Sequence, residues 1–268
     1  MRWDWENDGT FDTQFSTTKT NTHKYSTEST FTIKLEVKDT GGLTDNESKT
    51  LSVSNGGTGG TVTDYDGNVY QTVTIGTQTW MAENLKVTHY SDGSSIPNVT
   101  DNTAWGGLST GAYCWYNNDI ANKNTYGALY NWYAVNTAKL APAGWHVPTD
   151  AEWKQLEMAL GMTQAQADAT GWRGTDQGTQ LKNTSGWNNN GNGTNTSGFS
   201  ALPGGYRYYL GYFNLLGFSG LGEYGRWWSA TEYSATYAWG RTLGYSHTLV
   251  SRYDYLKPGG FSVRCVRD

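Results

Sequence analysis

The chain has 268 residues, a length that suits one large domain or two smaller ones, and its formal net charge is −5. Only 16% of its residues are charged and Lys and Arg form no run, which excludes the basic surface on which nucleic-acid binding depends. No stretch reaches the roughly 18 consecutive apolar residues that a transmembrane helix needs, so direct membrane insertion is not expected.

Residues 1–54 carry the pattern of β-strands. Residues 31–38 alternate apolar and polar side chains, which is the period of a half-buried strand. The Asp-Thr-Gly-Gly sequence at residues 39–42 predicts a turn, and a weaker alternation follows at residues 50–53. Several such strands indicate a β-sandwich, so this part is expected to form a module of its own.

Three phrases in this module resemble the PKD domain, an immunoglobulin-like module of bacterial surface proteins. They are Arg2-Trp-Asp-Trp5, His23-Lys-Tyr25 and the strand from Phe31 to Asp39. The resemblance covers only the later strands of that family. It implies a partial immunoglobulin-like β-sandwich that serves as a spacer.

A glycine-rich tract separates this module from the rest of the chain. Residues 55–60 (Asn-Gly-Gly-Thr-Gly-Gly) predict a flexible linker, and residues 61–268 are then the second domain. Soon after the linker, residues 69–75 and 78–80 flank a Gly-Thr pair, which is the pattern of a β-hairpin with glycine at the bend.

Helices are indicated only in the middle of the second domain. Thr149 and Glu152 have the spacing of a capping box, and Thr163 and Gln166 repeat it, so two helices are expected to start there. The Asn-rich residues 187–196 predict a loop. Two helices within an otherwise strand-rich domain place the chain in the α+β class.

The segment from Pro203 to Tyr255 is unusually rich in tyrosine. It holds 10 of the 19 tyrosines but only seven charged residues, and the remainder is mostly Gly, Ser, Thr, Leu and Ala. Such a mixture is typical of a paratope, because Tyr provides a large, stiff contact area while Ser and Gly adapt around it. The alternative is an ordinary aromatic core.

Several ordered phrases between residues 61 and 268 resemble the Fibrobacter succinogenes major paralogous domain. The phrases are residues 72–85, 126–132, 144–153, 198–207, 227–232, 238–241 and 260–266. The resemblance implies a C-type-lectin-like fold related to formylglycine-generating enzymes, with two helices and antiparallel sheets, in an extracellular or cell-surface protein.

The resemblance also implies a use. Similar proteins are variable targets of diversity-generating retroelements, in which mutagenesis at adenines rewrites codons near the C-terminus. The recurring phrases would be the scaffold, and the residues between them would bind an unknown protein or glycan on another surface. The expected ligand-binding residues are Tyr208, Tyr209, Tyr212, Ser234, Thr236, Tyr237, Thr242, Tyr245, Ser246, His247, Tyr253, Asp254 and Tyr255.

A second interpretation is a fixed structural or adhesive component of the cell surface, with carbohydrate binding as one option. The two interpretations differ in the burial that they require. A rewritten binding surface needs accessible tyrosines gathered on one face, above a core that holds Trp227, Trp228, Trp239 and Val263, because truncating a core aromatic costs about 3–5 kcal/mol.

The chain has two cysteines, Cys114 and Cys265. In an exported protein a bridge between them is favoured, because closing so long a loop contributes about 4 kcal/mol in the chain-entropy model. The family resemblance points the other way: many relatives have a Cys where this chain has Ala141, so two buried free thiols are the alternative.

No catalytic constellation is evident, and the chain is not expected to be an enzyme. The four histidines lack metal-ligand spacing, and the cysteine pair of formylglycine-generating enzymes has only Cys265 as a counterpart. Asp150 and Glu152 belong to the first turn of an expected helix. No cofactor is expected, with a structural calcium ion under an Asp- or Asn-rich loop left as an alternative.

Overall fold

The structure, a computed structural model of the chain, describes residues 1–23, 25, 29–53, 57–208 and 217–268. Internal contacts divide the chain into two units, Met1–Asn55 and Gly56–Asp268. The chain belongs to the α+β class, as predicted, with mostly antiparallel sheets and short helices. Among the described residues, no helix has the length and hydrophobicity needed to cross a lipid bilayer.

The first unit contains one three-stranded antiparallel sheet in its described residues, with strand order β1-β2-β3. The strands are β1 (Arg2–Asp4), β2 (Ser29–Lys38) and β3 (Thr44–Val53). β2 contains the alternating segment predicted as a strand, and the turn after it is closed by a hydrogen bond from the Leu43 amide to the Asp39 carboxylate (2.8 Å). The second layer of a sandwich is not among the described residues of this unit.

An aromatic ladder joins the three phrases singled out in this unit. The rings of Trp3, Trp5, His23, Tyr25 and Phe31 follow one another with centroid distances of 5.1, 5.0, 4.5 and 3.9 Å. The Tyr25 hydroxyl also donates to the Trp5 carbonyl at 2.8 Å. The phrases are therefore neighbours in space although they are far apart along the chain.

The second unit contains a six-stranded sheet (order β10-β15-β14-β13-β11-β12), a five-stranded sheet (β4-β5-β6-β16-β9) and the pair β7-β8. β11 and β13 are parallel, whereas the other named pairs are antiparallel. The strands are β4 (Gly57–Thr63), β5 (Val69–Ile75), β6 (Gln78–Met81), β7 (Tyr113–Cys114), β8 (Leu129–Tyr130), β9 (Trp145–His146), β10 (Gly171–Arg173), β11 (Gly204–Tyr208), β12 (Gly217–Leu221), β13 (Tyr224–Glu232), β14 (Tyr237–Gly244), β15 (Val250–Leu256) and β16 (Val266–Arg267).

Both predicted helix starts are confirmed, and each capping box is formed at Thr149 and at Thr163. The described residues contain four further short helices and two 3₁₀ turns that the sequence did not indicate. The α-helices are α1 (Asn102–Gly106), α2 (Lys123–Tyr126), α3 (Trp132–Val135), α4 (Asp150–Ala159), α5 (Gln164–Asp168) and α6 (Gln177–Leu181).

The glycine tract differs from the flexible linker expected at residues 55–60. β4 begins at Gly57 and pairs with β5, so residues 57–60 belong to a strand. Gly59 gives the reason: a Cβ there would lie 1.3 Å from the Thr72 carbonyl oxygen, so only glycine allows the two backbones to approach. Residues 55 and 56 lie outside the described residues.

The six-stranded sheet has an aromatic core on each face. Consecutive residues of a strand point to opposite faces, so Trp227 packs with Trp80, Trp153 and Phe199, whereas Trp228 packs with the other core. Trp227, Trp228 and Val263 are buried, as predicted. The prediction for Trp239 was wrong: its ring is only partly buried and lies against Tyr233 and the Arg252 guanidinium.

Buried ion pairs connect α4 to the sheet. Arg241 of β14 donates to Asp150 (2.8 Å) and Glu157 (2.7 Å), and Arg252 of β15 donates to Asp150 (2.8 Å). Arg173 of β10 completes the network at Glu157. Burial alone would raise the pKa of Asp150, but the guanidinium groups of Arg252 and Arg241 hold it well below its usual range.

The favoured disulfide was wrong, since Cys114 and Cys265 are both free and buried. They belong to different hydrophobic clusters: Cys114 packs with Trp105 and Leu129, and Cys265 with the core around Trp228. Burial raises the pKa of Cys114 to about 12, and that of Cys265 well above the ordinary value. Both thiols therefore act as small apolar side chains.

Candidate functional site

A cavity of about 290 Å³ opens beside the six-stranded sheet, where β14 begins and β15 ends. We call it the aromatic pocket. Its lining residues are Arg207, Tyr208, Arg226, Tyr237, Tyr253, Asp254, Tyr255, Leu256, Gly259 and Phe261. Five of the predicted ligand-binding residues are among them.

Strand register explains the concave shape. In the β14–β15 pair, Ala238 lies opposite Tyr255 and Gly240 lies opposite Tyr253, and residues so paired share a face of the sheet. The two small residues leave space beside the two large rings. A Cβ on Gly240 would lie 3.0 Å from the Tyr255 ring, so the absence of a side chain at this position lets the ring lie over β14.

Hydrogen bonds and ring contacts hold the tyrosines of the aromatic pocket. The Tyr255 hydroxyl is 2.8 Å from the Thr242 hydroxyl, and its ring lies edge-on to Phe261 with a centroid distance of 4.9 Å. The Tyr208 and Tyr206 hydroxyls are 2.6 Å apart. Burial raises the pKa of the Tyr206 phenol to about 12, so this phenol stays neutral at physiological pH.

Arg226 is the one cationic side chain at the aromatic pocket whose charge lacks a partner among the described residues. Its guanidinium lies 3.5 Å from the centre of the Tyr206 ring and 5.1 Å from that of Tyr255. Its Nε is buried without a hydrogen-bond acceptor. The Arg207 Nε is buried without an acceptor as well, but the other two nitrogens of its guanidinium donate to the carbonyl oxygens of Val99 and Thr100.

Sequence reasoning did not select Arg226. It stands two residues before Trp228, so alternation along β13 puts both side chains on the same face. The sequence did hold a signal for Arg226: a charged residue shares the face of a core tryptophan, in a segment with few charged residues.

The remaining predicted residues divide between the two ends of the β14–β15 hairpin. Ser234 and Thr236 lie in the turn before β14, and the Ser234 hydroxyl accepts from the Tyr237 amide at 3.2 Å. Tyr245, Ser246 and His247 lie in the turn after β14. This turn begins eight residue steps after Tyr237, a distance of roughly 27 Å along an extended strand.

The far end of this hairpin therefore does not join the aromatic pocket. His247 stacks on Trp172 with a ring-centroid distance of 3.9 Å, and Tyr245 packs against the core around Trp227. Tyr209 and Tyr212 lie outside the described residues. The predicted site is thus gathered only in part.

His146 has the carboxylate neighbours that an acid–base site would need, but both of its ring nitrogens are engaged. Nδ1 lies 2.6 Å from the Asp268 carboxylate and Nε2 lies 2.7 Å from Glu152. Burial lowers the pKa of His146, but these hydrogen bonds outweigh it and the pKa is raised. The arrangement favours an imidazolium that ties β9 to the capping box of α4.

In the described residues of the first unit, three carboxylates lie close enough together to hold a metal ion. Oxygen atoms of Asp4, Glu6 and Asp12 lie within 4.8 Å of one another. Backbone amides already donate to two of them: Gly9 to Asp4 at 3.1 Å and Trp5 to Asp12 at 2.8 Å. This group is separate from the Asn-rich loops for which a calcium ion was considered.

Comparison with known proteins gave one match. Residues 73–267 match the family model of the Fibrobacter succinogenes major domain, a range that contains the aromatic pocket. Searches among curated proteins and among solved structures found no match.

Proposed function

We propose, for a chain that belongs to the Fibrobacter succinogenes major domain family, that residues 61–268 form a cell-surface ligand-binding domain with the aromatic pocket at its centre. One observation carries the proposal. Tyr208, Tyr237, Tyr253, Asp254 and Tyr255 were expected to bind a ligand from the sequence, and all five line a single cavity.

The size of the aromatic pocket limits what it can hold. At about 290 Å³ it lies near the lower end of the roughly 300–1,000 Å³ range of ligand sites, which is room for one side chain or one sugar ring. The lining residue Tyr253 is 53% exposed, and the exposed Thr236 precedes the lining residue Tyr237, so both add contact area at the rim. A partner would therefore insert one projecting group and rest on the surrounding residues.

We also propose that retroelement mutagenesis diversifies this surface on a C-type-lectin-like scaffold. The burial pattern supports it in part: Trp227 and Trp228 of the recurring phrase are buried and Tyr253 beside them is exposed. The other tyrosines of the aromatic pocket, Tyr208, Tyr237 and Tyr255, are only half exposed. Thr242 fits less well, because it is 3% exposed and its hydroxyl bonds to Tyr255. Diversity there would be restricted to small side chains.

For the first unit we propose a PKD-like spacer that holds the binding domain away from the cell. Its aromatic ladder supports this, because the phrases that resemble the PKD domain contact one another. An enzymatic role is not proposed, since His146 has neither ring nitrogen free to accept a proton.

Binding is tested by selection. The purified chain is offered a displayed library of random peptides and an array of glycans, alongside a Tyr237→Ser/Tyr253→Ser variant. Tyr65→Ser is the matched control, because Tyr65 is 57% exposed and does not line the aromatic pocket. We expect the wild type and Tyr65→Ser to select the same ligands and the double variant to lose them at an unchanged melting temperature. Equal selection by the double variant would reject the proposed site.

Diversification is tested at the gene. We expect a reverse-transcriptase gene nearby, together with a near-repeat of the 3′ end of the coding sequence. Sequencing of many clones should show substitutions at adenines in the codons of Tyr208, Tyr237 and Tyr253, and none at those of Trp227 and Trp228. Uniform codons without such a repeat would favour the fixed structural or adhesive component.

A further inference from the structure

We infer that the aromatic pocket accepts the carboxylate side chain of a partner protein and that Arg226 binds this carboxylate. The inference rests on the proposed function, because it names the chemistry of the ligand group at the same site.

The first step concerns charge. A guanidinium remains charged in a protein, and a charged donor removed from water needs an acceptor. Arg173 and Arg241 pair with Glu157, and the fully buried Arg264 donates to the carbonyl oxygens of Met81 and Ser200. Arg226 is half-buried, and its buried Nε lacks an acceptor, as do the Nε atoms of Arg173 and Arg207. Arg226 differs from those two because, within the described residues, it forms no ion pair and its terminal nitrogens have no hydrogen-bond partner either.

The second step concerns geometry. The Tyr206 ring covers a face of the guanidinium at 3.5 Å, and the Tyr255 and Phe261 rings lie at 5.1 and 5.5 Å. Ring contacts of this kind leave the N–H groups at the edge of the guanidinium plane as the free donors. Those donors form a fork that matches the two oxygens of a carboxylate, and the rings hold the fork in place before a ligand arrives.

The third step separates an acidic side chain from an acidic sugar. The walls of the aromatic pocket are apolar at Leu256 and Phe261, which suits the methylene groups of glutamate. The Tyr255 hydroxyl is engaged with Thr242, and the Tyr208 hydroxyl with Tyr206. A uronate ring would bring several hydroxyls to walls whose only tyrosine hydroxyls left free among the described residues are those of Tyr237 and Tyr253, and unpaired polar groups are costly to bury.

Asp254 also lines the aromatic pocket, but in β15 it lies between Tyr253 and Tyr255 and opposite Trp239, so alternation turns its side chain to the other face of the sheet. Arg226 is therefore the charged side chain that faces an incoming carboxylate, and removing its charge should abolish binding.

The test is an NMR titration of the full chain, observing the Arg226 side-chain Nε–H and the ring resonances of Tyr255. The probes are N-acetylglutamate N-methylamide, the corresponding glutamine compound and methyl glucuronide. We expect saturable shifts with the glutamate compound and binding at least about tenfold weaker with the glutamine compound. Arg226→Gln should lose the response. Arg226→Lys, which keeps the charge but not the fork, should weaken it.

Three results would overturn the inference. They are equal responses to glutamate and glutamine, binding of methyl glucuronide as tight as that of glutamate, and an Arg226→Lys variant that is folded and responds like wild type. Peptides from the selection above separate the two proposals. If peptides bind at the aromatic pocket without an acidic residue, the carboxylate inference fails while the proposed function stands. If neither peptides nor glycans bind there, both fail.

Discussion

Glu157 shows how strongly single buried charges are tied into this fold. Its side chain is fully buried, and its carboxylate accepts from both Arg173 and Arg241. Removing one partner of a buried ion pair leaves the other charge uncompensated, which costs about 3–5 kcal/mol.

We therefore expect Glu157→Gln to lower the free energy of unfolding by about 3–5 kcal/mol, measured by denaturant titration. The control is Asp168→Asn, which removes an exposed partner of Lys154 and should leave the unfolding midpoint near that of wild type. Similar midpoints for both variants would show that the network does not stabilise the fold.

Asp150 predicts the pH dependence of stability. Its pKa in the folded chain is lower than in the unfolded chain, so its contribution is fully present above the ordinary value of 3.8. As the pH falls below that value, the unfolded chain takes up the proton first and the contribution is lost. We expect the melting temperature to fall steeply as the pH drops through this range, and to fall less steeply for Asp150→Asn. Parallel curves for the two proteins would contradict the assignment.

Gly240 lies in β14, between β13 and β15, at a position with no room for a side chain. A Cβ at this position would lie 3.0 Å from both the Trp227 carbonyl oxygen and the Tyr255 ring. Gly240→Ala should therefore displace Tyr255 and destabilise the chain by about 1–3 kcal/mol.

The matched control is Gly60→Ala in β4, where a Cβ would meet nothing within 4 Å. Thermal unfolding of the two variants and the Tyr255 ring resonances provide the readout. If Gly240→Ala leaves both unchanged, the concavity does not depend on this glycine.

The elements that the sequence predicted are those with a local chemical signal. α4 and α5 each begin with a complete capping box, which is recognisable from side-chain types alone. α6 spans five residues and its N-cap Asp176 forms no side-chain cap hydrogen bond, so neither periodicity nor capping indicates it.

Features that depend on long-range packing could not be predicted in this way. The strand at Gly57 to Gly60 depends on the approach of β5, which a glycine-rich sequence does not reveal. Likewise, composition identified the tyrosines of the aromatic pocket but could not show which end of the hairpin they occupy. The isolation of Arg226 is visible only once the positions of all neighbouring carboxylates are known.

For the second unit as a whole, the proposal requires a division between residues that hold the fold and residues that can be rewritten. Tyr253→Ser should leave the melting temperature nearly unchanged, because the side chain is 53% exposed. Trp228→Ser should destabilise by about 3–5 kcal/mol, because its ring is fully buried and packed on Phe261. Comparable losses in thermal unfolding would indicate that the tyrosines serve the core instead.

The central claim is that ligands bind at the aromatic pocket, and hydrogen exchange of the full chain with a selected ligand tests it most directly. We expect slower amide exchange in β14 near Tyr237 and in β15 from Tyr253 to Leu256. The turn that contains Tyr245 and His247 does not line the aromatic pocket and should be unaffected. Protection confined to that turn, or to the first unit, would contradict the claim.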